Sequence, residues 1–396
     1  MFLSNSKEIY MKKQNKLKQL IEKLNSNKKA KIITISVLSA ILIAVITLVV
    51  WLILRPKNGD HFLFNSNLTP VCKNSRWGYI NKNGREVIKP EFEDATVFNE
   101  NLAAVCKDNK YGFINTKGKF EVEPQFEYAE AFKESLALVC KNSKYGFINT
   151  DGKIAIECKY ELANSFSEGL SAVYINSKWG YINKDAKLVI PAQFDYAGDF
   201  SDGLALVEKG SRLGYIDTKG NIVVDYKFDY ALDFSEEKAA VCVKDKWGFI
   251  DKSGKYIVEP EFESVTNFSQ DYAAVMKNSK WGFINKKGKT VIKPQFADAY
   301  PFYFGRAAVC NNNKWGFINR NGKYISDARY LSADFYYDDG FAVVAKDNKQ
   351  YVVINKKGKE VSKEYDSIGE YCPIYCKQKG CFEYTESSDY CIEHTK

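Results

Sequence analysis

The apolar and polar positions of this chain follow one recurring order. A run of mostly small apolar residues, Leu102-Ala103-Ala104-Val105-Cys106, leads through the polar turn Lys107-Asp108-Asn109-Lys110 to Tyr111-Gly112-Phe113-Ile114. Asn115-Thr116-Lys117-Gly118 turns the chain back, Phe120-Glu121-Val122-Glu123 runs up to Pro124, and Phe126 to Phe132 closes the unit with aromatic residues and Ala129 turned inward. The order returns at Trp77, Tyr111, Tyr145, Trp179, Leu213, Trp247, Trp281 and Trp315, each 34 residues apart, and at Tyr351, 36 residues further on. A fixed period of this length marks a repeat architecture. Three or four short apolar segments per unit, separated by turn signals, predict an all-β body.

Columns counted from that aromatic residue sharpen the unit. Isoleucine stands three places on in all nine copies and Asn or Asp four places on, while glycine stands seven places on in eight, with Ala186 the exception. Asn opening a turn accepts local backbone hydrogen bonds, and glycine accepts a positive φ. Aromatic residues recur fifteen places on (Phe92 to Tyr330) and twenty-one places on (Phe98 to Tyr336). Proline at Pro90, Pro124, Pro260 and Pro294 donates no ladder bond and predicts a strand end. Glycine directly after the aromatic residue leaves room for an adjacent strand or a stacked ring. The acidic column Glu93, Glu127, Glu161, Asp195, Asp229 and Glu263 has the residue type of a metal or catalytic row, yet its recurrence predicts a structural role in capping backbone at turns.

These motifs closely resemble the WG-repeat (KWG-repeat) family of bacterial proteins, from about Phe64 to Asp366. Leu213, Ala186 and the last copy, with Tyr351-Val352 in place of Trp-Gly, depart from the pattern. The resemblance implies a β-rich array that serves binding, and it carries over no catalytic residue. Four short strands per unit suit a propeller blade. The ends agree: Phe64-Asn65-Ser66-Asn67-Leu68 matches Phe98-Asn99-Glu100-Asn101-Leu102, so the first copy begins in mid-unit. Glu364-Tyr365-Asp366-Ser367 matches the segment missing before it, and one composite blade would seal a ring. Nine blades exceed the usual four to eight, so an open β-solenoid stands as the alternative.

Outside the repeats the character changes. Residues 32–54, Ile32 to Leu54, carry no charge and are long enough to cross a hydrocarbon core of ~30 Å. Nine Lys against Glu8 and Glu22 precede this run, which places residues 1–31 in the cytoplasm and the repeats outside the membrane. Residues 55–61 form a linker and residues 62–370 the repeat domain. The formal charge of +8 is concentrated in that N-terminal tail: it holds +7, leaving 48 basic and 47 acidic residues in the other 365. A nucleic-acid binder needs a dense basic face, so that class is set aside.

Ten cysteines divide between repeats and tail. Cys72, Cys106, Cys140, Cys242 and Cys310 share one column with Tyr174 and Met276, a packing position, although disulfides between neighbouring units stay open. In residues 371–396, Cys376, Cys381, Cys391 and His394 resemble a small bacterial zinc knuckle. Three thiolates and an imidazole give a closed, structural site, with Cys372 left over; two disulfides are the alternative in an exported tail. No Ser/His/Asp set and no phosphate-cradling loop is present. The expected function is a membrane-anchored, non-catalytic scaffold that binds a protein or cell-surface ligand. The alternative is a cell-wall glycan-binding protein or hydrolase with its site on the irregular segment 334–340.

Overall fold

A computed structural model describes residues 65–369, apart from residues 338, 348 and 349. Within them the 34-residue unit folds as one small antiparallel sheet. In residues 93–126 the four strands are Asp94–Ala95, Leu102–Lys107, Lys110–Asn115 and Phe120–Phe126, hydrogen-bonded in that order. Nine such sheets follow one another, forming a nine-bladed β-propeller. Blades 2 to 9 begin at residues 93, 127, 161, 195, 229, 263, 297 and 331. In blade 4 the first strand shrinks to the bridge Ala163↔Val173, and in blade 9 the fourth is reduced to bridges at Glu360 and Tyr365.

The ring closes as the ends of the sequence foretold. Blade 1 takes three strands, Leu68–Lys73, Arg76–Asn81 and Glu86–Phe92, from the start of the repeats. Its first strand, Ser367–Ile368, comes from the far end, with Val71 opposite Ile368 and Cys72 opposite Ser367. Behind this seam Val71, Ile80 and Ile368 pack with Val343, Val353 and Tyr365 of blade 9 in one buried cluster. A ring sealed this way has no open end to its stack of sheets, so the solenoid alternative does not apply.

The glycine after the aromatic residue is a packing requirement. Opposite Gly282, the fourth strand of blade 7 bulges: Trp281 pairs with Phe296 and Phe283 with Ile292, so two steps on one strand meet four on the other. A Cβ on Gly282 would lie 2.5 Å from the Ile292 carbonyl oxygen. The bulge also changes the reading of proline. The strand expected to stop at Pro124 runs on to Phe126, because proline sits inside the bulge of an edge strand where no amide donor is required. The closing Phe126-to-Phe132 segment is shorter in strand than its pattern predicts, with only Tyr128–Ala129 paired to the next strand.

Turns behave as expected. In every blade the Asn or Asp side chain accepts two backbone N–H groups of its own turn: Asn285 Oδ1 takes Lys287 at 3.0 Å and Lys289 at 3.1 Å. Gly118 sits there at φ +80°, and Ala186 holds the same left-handed conformation at +59°.

Blades are joined by aromatic pairs. Tyr79, Phe113, Phe147, Tyr181, Tyr215, Phe249 and Phe283 each meet the phenylalanine nineteen residues on, in the next blade, at 4.7–5.0 Å between ring centroids. Each pair contributes about 0.5–1.5 kcal/mol beyond the burial of its area. Where the first ring is tyrosine its hydroxyl also donates to the next blade: Tyr79 to the Thr96 carbonyl at 2.8 Å, Tyr181 to Gly198 at 2.7 Å and Tyr215 to Leu232 at 2.6 Å. Burial pushes all three phenols well above their ordinary pKa. Across the same boundaries, Ser167, Ser201, Ser235 and Ser269 donate to the carbonyls of Phe200, Phe234, Phe268 and Phe302 at 2.6–2.8 Å.

The first acidic column is a set of caps. Glu93 accepts the Asn109 amide at 2.9 Å, Glu127 accepts Asn142 and Ser143, and Asp195 accepts Gly210 at 2.8 Å. In the composite blade the same bond crosses the seam, from Asn74 N–H to Asp366 at 2.7 Å. The carboxylates also meet a cation of the preceding blade, Arg76 with Glu93 at 3.4 Å, Lys110 with Glu127, Lys144 with Glu161 and Lys178 with Asp195. Hydrogen bonds from the Asn109 and Ser143 amides hold Glu93 and Glu127 below the usual carboxylate pKa, and the Lys178 ammonium does so for Asp195.

The packing cysteines follow the same logic. Cys72, Cys106, Cys140, Cys242 and Cys310 are buried and free of disulfides, and burial pushes the Cys106 thiol up to about 11.

Two outcomes are expected. Ile368→Asp places a carboxylate in the buried seam and should cost about 3 kcal/mol or more, read as a lower denaturation midpoint. A carboxylate whose folded pKa is depressed stabilises above its unfolded value of about 4 and loses that contribution as pH falls through the folded pKa. The combined variant Glu93→Gln, Glu127→Gln, Asp195→Asn should therefore melt lower at neutral pH and show a flatter decline below about pH 4 than the parent chain.

Candidate functional site

A meander alternates its connections between two faces. One face of the ring carries the hairpins between first and second strands together with the turns between third and fourth. On this face a second acidic column, overlooked in the sequence, links each of blades 2 to 7 to the next. Glu100 accepts the Ser135 amide at 2.9 Å, Glu134 accepts Gly169 at 3.0 Å, Glu168 accepts Gly203 at 2.9 Å and Asp202 accepts Glu237 at 2.7 Å. Glu236 accepts both Gln270 and Asp271, and the Gln270 side-chain carbonyl accepts Gly305 at 2.6 Å. All six residues have φ between 51° and 54°, a conformation that side chains adopt at a cost. The bond to the next blade compensates that cost. Cations from the following blade's turn add to it: Lys184 reaches Glu134 at 3.1 Å, Lys286 reaches Glu236 at 3.2 Å, and Arg320 reaches Gln270 at 3.3 Å.

The column breaks at Phe304. This residue keeps the left-handed conformation, at φ 48°, but has no carboxylate to offer blade 9, and its ring is 38% exposed. The ring lies against Gly340, where an added Cβ would come 3.1 Å from it. Arg306 stacks over it at 5.4 Å and donates to the Lys356 carbonyl at 2.9 Å. Lys356 holds the turn position that Lys184, Lys286 and Arg320 hold elsewhere, with phenylalanine where their acidic or amide partner stands. Among the described residues Lys356, Lys357 and Lys359 have no ion pair. A cleft of about 350 Å³ opens here between Phe304, Phe341 and these three lysines, with Asp339 the one carboxylate among the described residues that line it. A second, of about 300 Å³, lies across the same turn and is lined by Tyr324, Ser326, Arg329 and Lys357.

The opposite face loses its regularity in the same two blades. Ala297 and Leu331 occupy the first acidic column, so Lys280 and Lys314 lack the partner that Lys110 and Lys144 have. Of the irregular segment singled out in the sequence, 334–340, Asp339 and Gly340 line the larger cleft. Asp334 of the same segment is buried and accepts the Tyr337 hydroxyl at 2.8 Å, away from the cleft lining. Among the described residues no cluster of ligand-type side chains is placed to hold a metal, and no helix is long and apolar enough to cross a membrane. The span Ile32 to Leu54 and the residues Cys376, Cys381, Cys391 and His394 lie outside the described residues.

Comparison with known proteins agrees with this architecture. A crystal structure described as that of the eukaryotic initiation factor superposes with a TM-score of 0.56 at 12% identity, covering 77% of this chain and 97% of that one. Dihydro-heme d1 dehydrogenase NirN in complex with DHE gives 0.46 at 12% identity over 80% of this chain and 76% of its own. Kluyveromyces lactis Hsv2p gives 0.38 at 10% identity over 56% and 90%. The first likeness is one of fold alone, and the other two bear no weight. No curated protein matches. The family model described as WG containing repeat matches eight successive stretches between residues 77 and 349. With its Trp-Gly pair seated against the bulge in blade after blade, the chain belongs to the family of WG-containing repeat proteins.

Proposed function

We propose that this chain is a non-catalytic interaction scaffold that binds a protein partner through blades 8 and 9. The observation that carries the reading is the break at Phe304. In most other blades the recurring acidic side chains on both faces are occupied in capping backbone or pairing with a neighbour, whereas here a cleft with an exposed ring and unpaired lysines takes their place. Among the described residues the cleft is lined by one carboxylate, Asp339, where a glycoside hydrolase uses a pair. The chain's two histidines, His61 and His394, lie outside the repeated units of the sequence, which also favours binding over acid–base chemistry. Cross-linking of the full-length chain in intact cells, followed by mass spectrometry, should return a small set of proteins joined to blades 8 and 9. Cross-links spread evenly over nine blades, or turnover of a glycan or peptide by the purified chain, would overturn the proposal.

The uncharged run from Ile32 to Leu54, with its Lys-rich approach, supports a single-pass tether that leaves the propeller on the extracytoplasmic side. The donor set Cys376, Cys381, Cys391 and His394 suits a closed tetrahedral zinc site of structural purpose. Full-length chain purified without reductant should carry about one zinc, lost in Cys391→Ala. Absence of zinc together with two disulfides in the tail would replace the knuckle with an oxidised tail.

A further inference from the structure

We infer that the blade 8–9 cleft is a docking site for a short acidic peptide that presents one aromatic or aliphatic side chain between its carboxylates. This deepens the scaffold reading and rests on it. Three features define the occupant. The Phe304 and Phe341 rings give the larger cleft an apolar wall, and a space of about 350 Å³ admits one or two side chains rather than a folded element. Lys356, Lys357 and Lys359 ring that wall with charge that no carboxylate of the described residues neutralises by an ion pair. Beyond the Lys357-Gly358 turn the second cleft adds Arg329, so an extended chain crossing the turn meets cations on both sides.

The rest of the same face argues against a long polyanion. Glu100, Glu134, Glu168, Asp202 and Glu236 circle it, and a nucleic acid or polyphosphate laid across the ring would run into that negative charge. Lysines recur on most turns of this face, but in blade 9 Lys356, Lys357 and Lys359 stand without an ion pair among the described residues and beside an apolar wall, which suits a ligand a few residues long. The side chain at position 304 decides access. In the six preceding blades an acid or amide at this place bonds to the next blade, and at Glu134, Glu236 and Gln270 it also meets the cation of that blade's turn. Phenylalanine leaves the cation free and supplies the apolar contact, while retaining a backbone conformation that nothing in its own side chain compensates.

The probe is a fluorescein-labelled, glutamate-rich peptide with one central phenylalanine, titrated against the full-length chain by anisotropy. The control is the same peptide with glutamine for each glutamate. The acidic peptide should bind, weaken as salt is raised, and lose roughly tenfold or more in affinity in Lys356→Gln/Lys357→Gln/Lys359→Gln. Phe304→Glu should abolish binding while keeping or raising the melting midpoint, because it restores the interblade carboxylate. That second readout separates loss of the site from loss of the fold. Equal binding by the glutamine control, unchanged affinity in either variant, or stronger competition by heparin than by unlabelled peptide overturns the proposal. Should the peptide fail to bind while cellular cross-links still fall on blades 8 and 9, the acidic-peptide assignment falls and the scaffold reading stands.

Discussion

Blades 1 to 8 each depend on a place where a side chain is missing. The third and fourth strands approach so closely beside the aromatic residue that a Cβ would sit 2.5–2.7 Å from the nearest backbone atom of the partner strand. Glycine there permits the bulge, the bulge admits proline at an edge, and the strand is carried back into pairing at Phe296 or its equivalents. With the fourth strand held in this way, the first aromatic ring of the blade is positioned to meet the ring of the next. Blade geometry and ring geometry therefore share one steric origin.

Much of this could be read from the chain alone. Nine turns opened by Asn or Asp, eight of them with glycine three places on, gave the hairpins, since only residues that accept local hydrogen bonds or a positive φ tolerate those positions. The two half-units at Asn65 and Asp366 gave the closure, because a missing first strand at one end matched a spare one at the other. The acidic column at Glu93 was rightly read as capping, on the argument that a row repeated in blade after blade is architecture. The strand end placed at Pro124 failed for a physical reason: exclusion of proline from sheets concerns amide donors, and a bulged edge needs none.

The second acidic column was legible in principle and missed. Glu100, Glu134, Glu168, Asp202 and Glu236 recur as regularly as Glu93 and its equivalents, but their partner lies in the next unit, so reading one unit at a time hides the reason for them. The cleft was harder still to find. It arises from substitutions that look unrelated along the chain, phenylalanine for an acid at 304 and two added residues before Tyr351, which only the ring places side by side. The segment 334–340 was singled out for its irregularity; of it Asp339 and Gly340 line the cleft, and the unpaired lysines come from the turn two strands further on.

The composite blade has a mechanical consequence. The described chain enters the ring at Leu68 and leaves it at Ile368, in strands of one sheet. A pull on the two ends is carried across that single sheet and does not pass through the other eight. Antiparallel pairs with their termini side by side open in sequence like a zipper, so Val71–Ile368 and Cys72–Ser367 form the weakest link under tension. Rupture there would free the seam and leave the remaining blades stacked on one another, turning a closed ring into a spring with two loose ends.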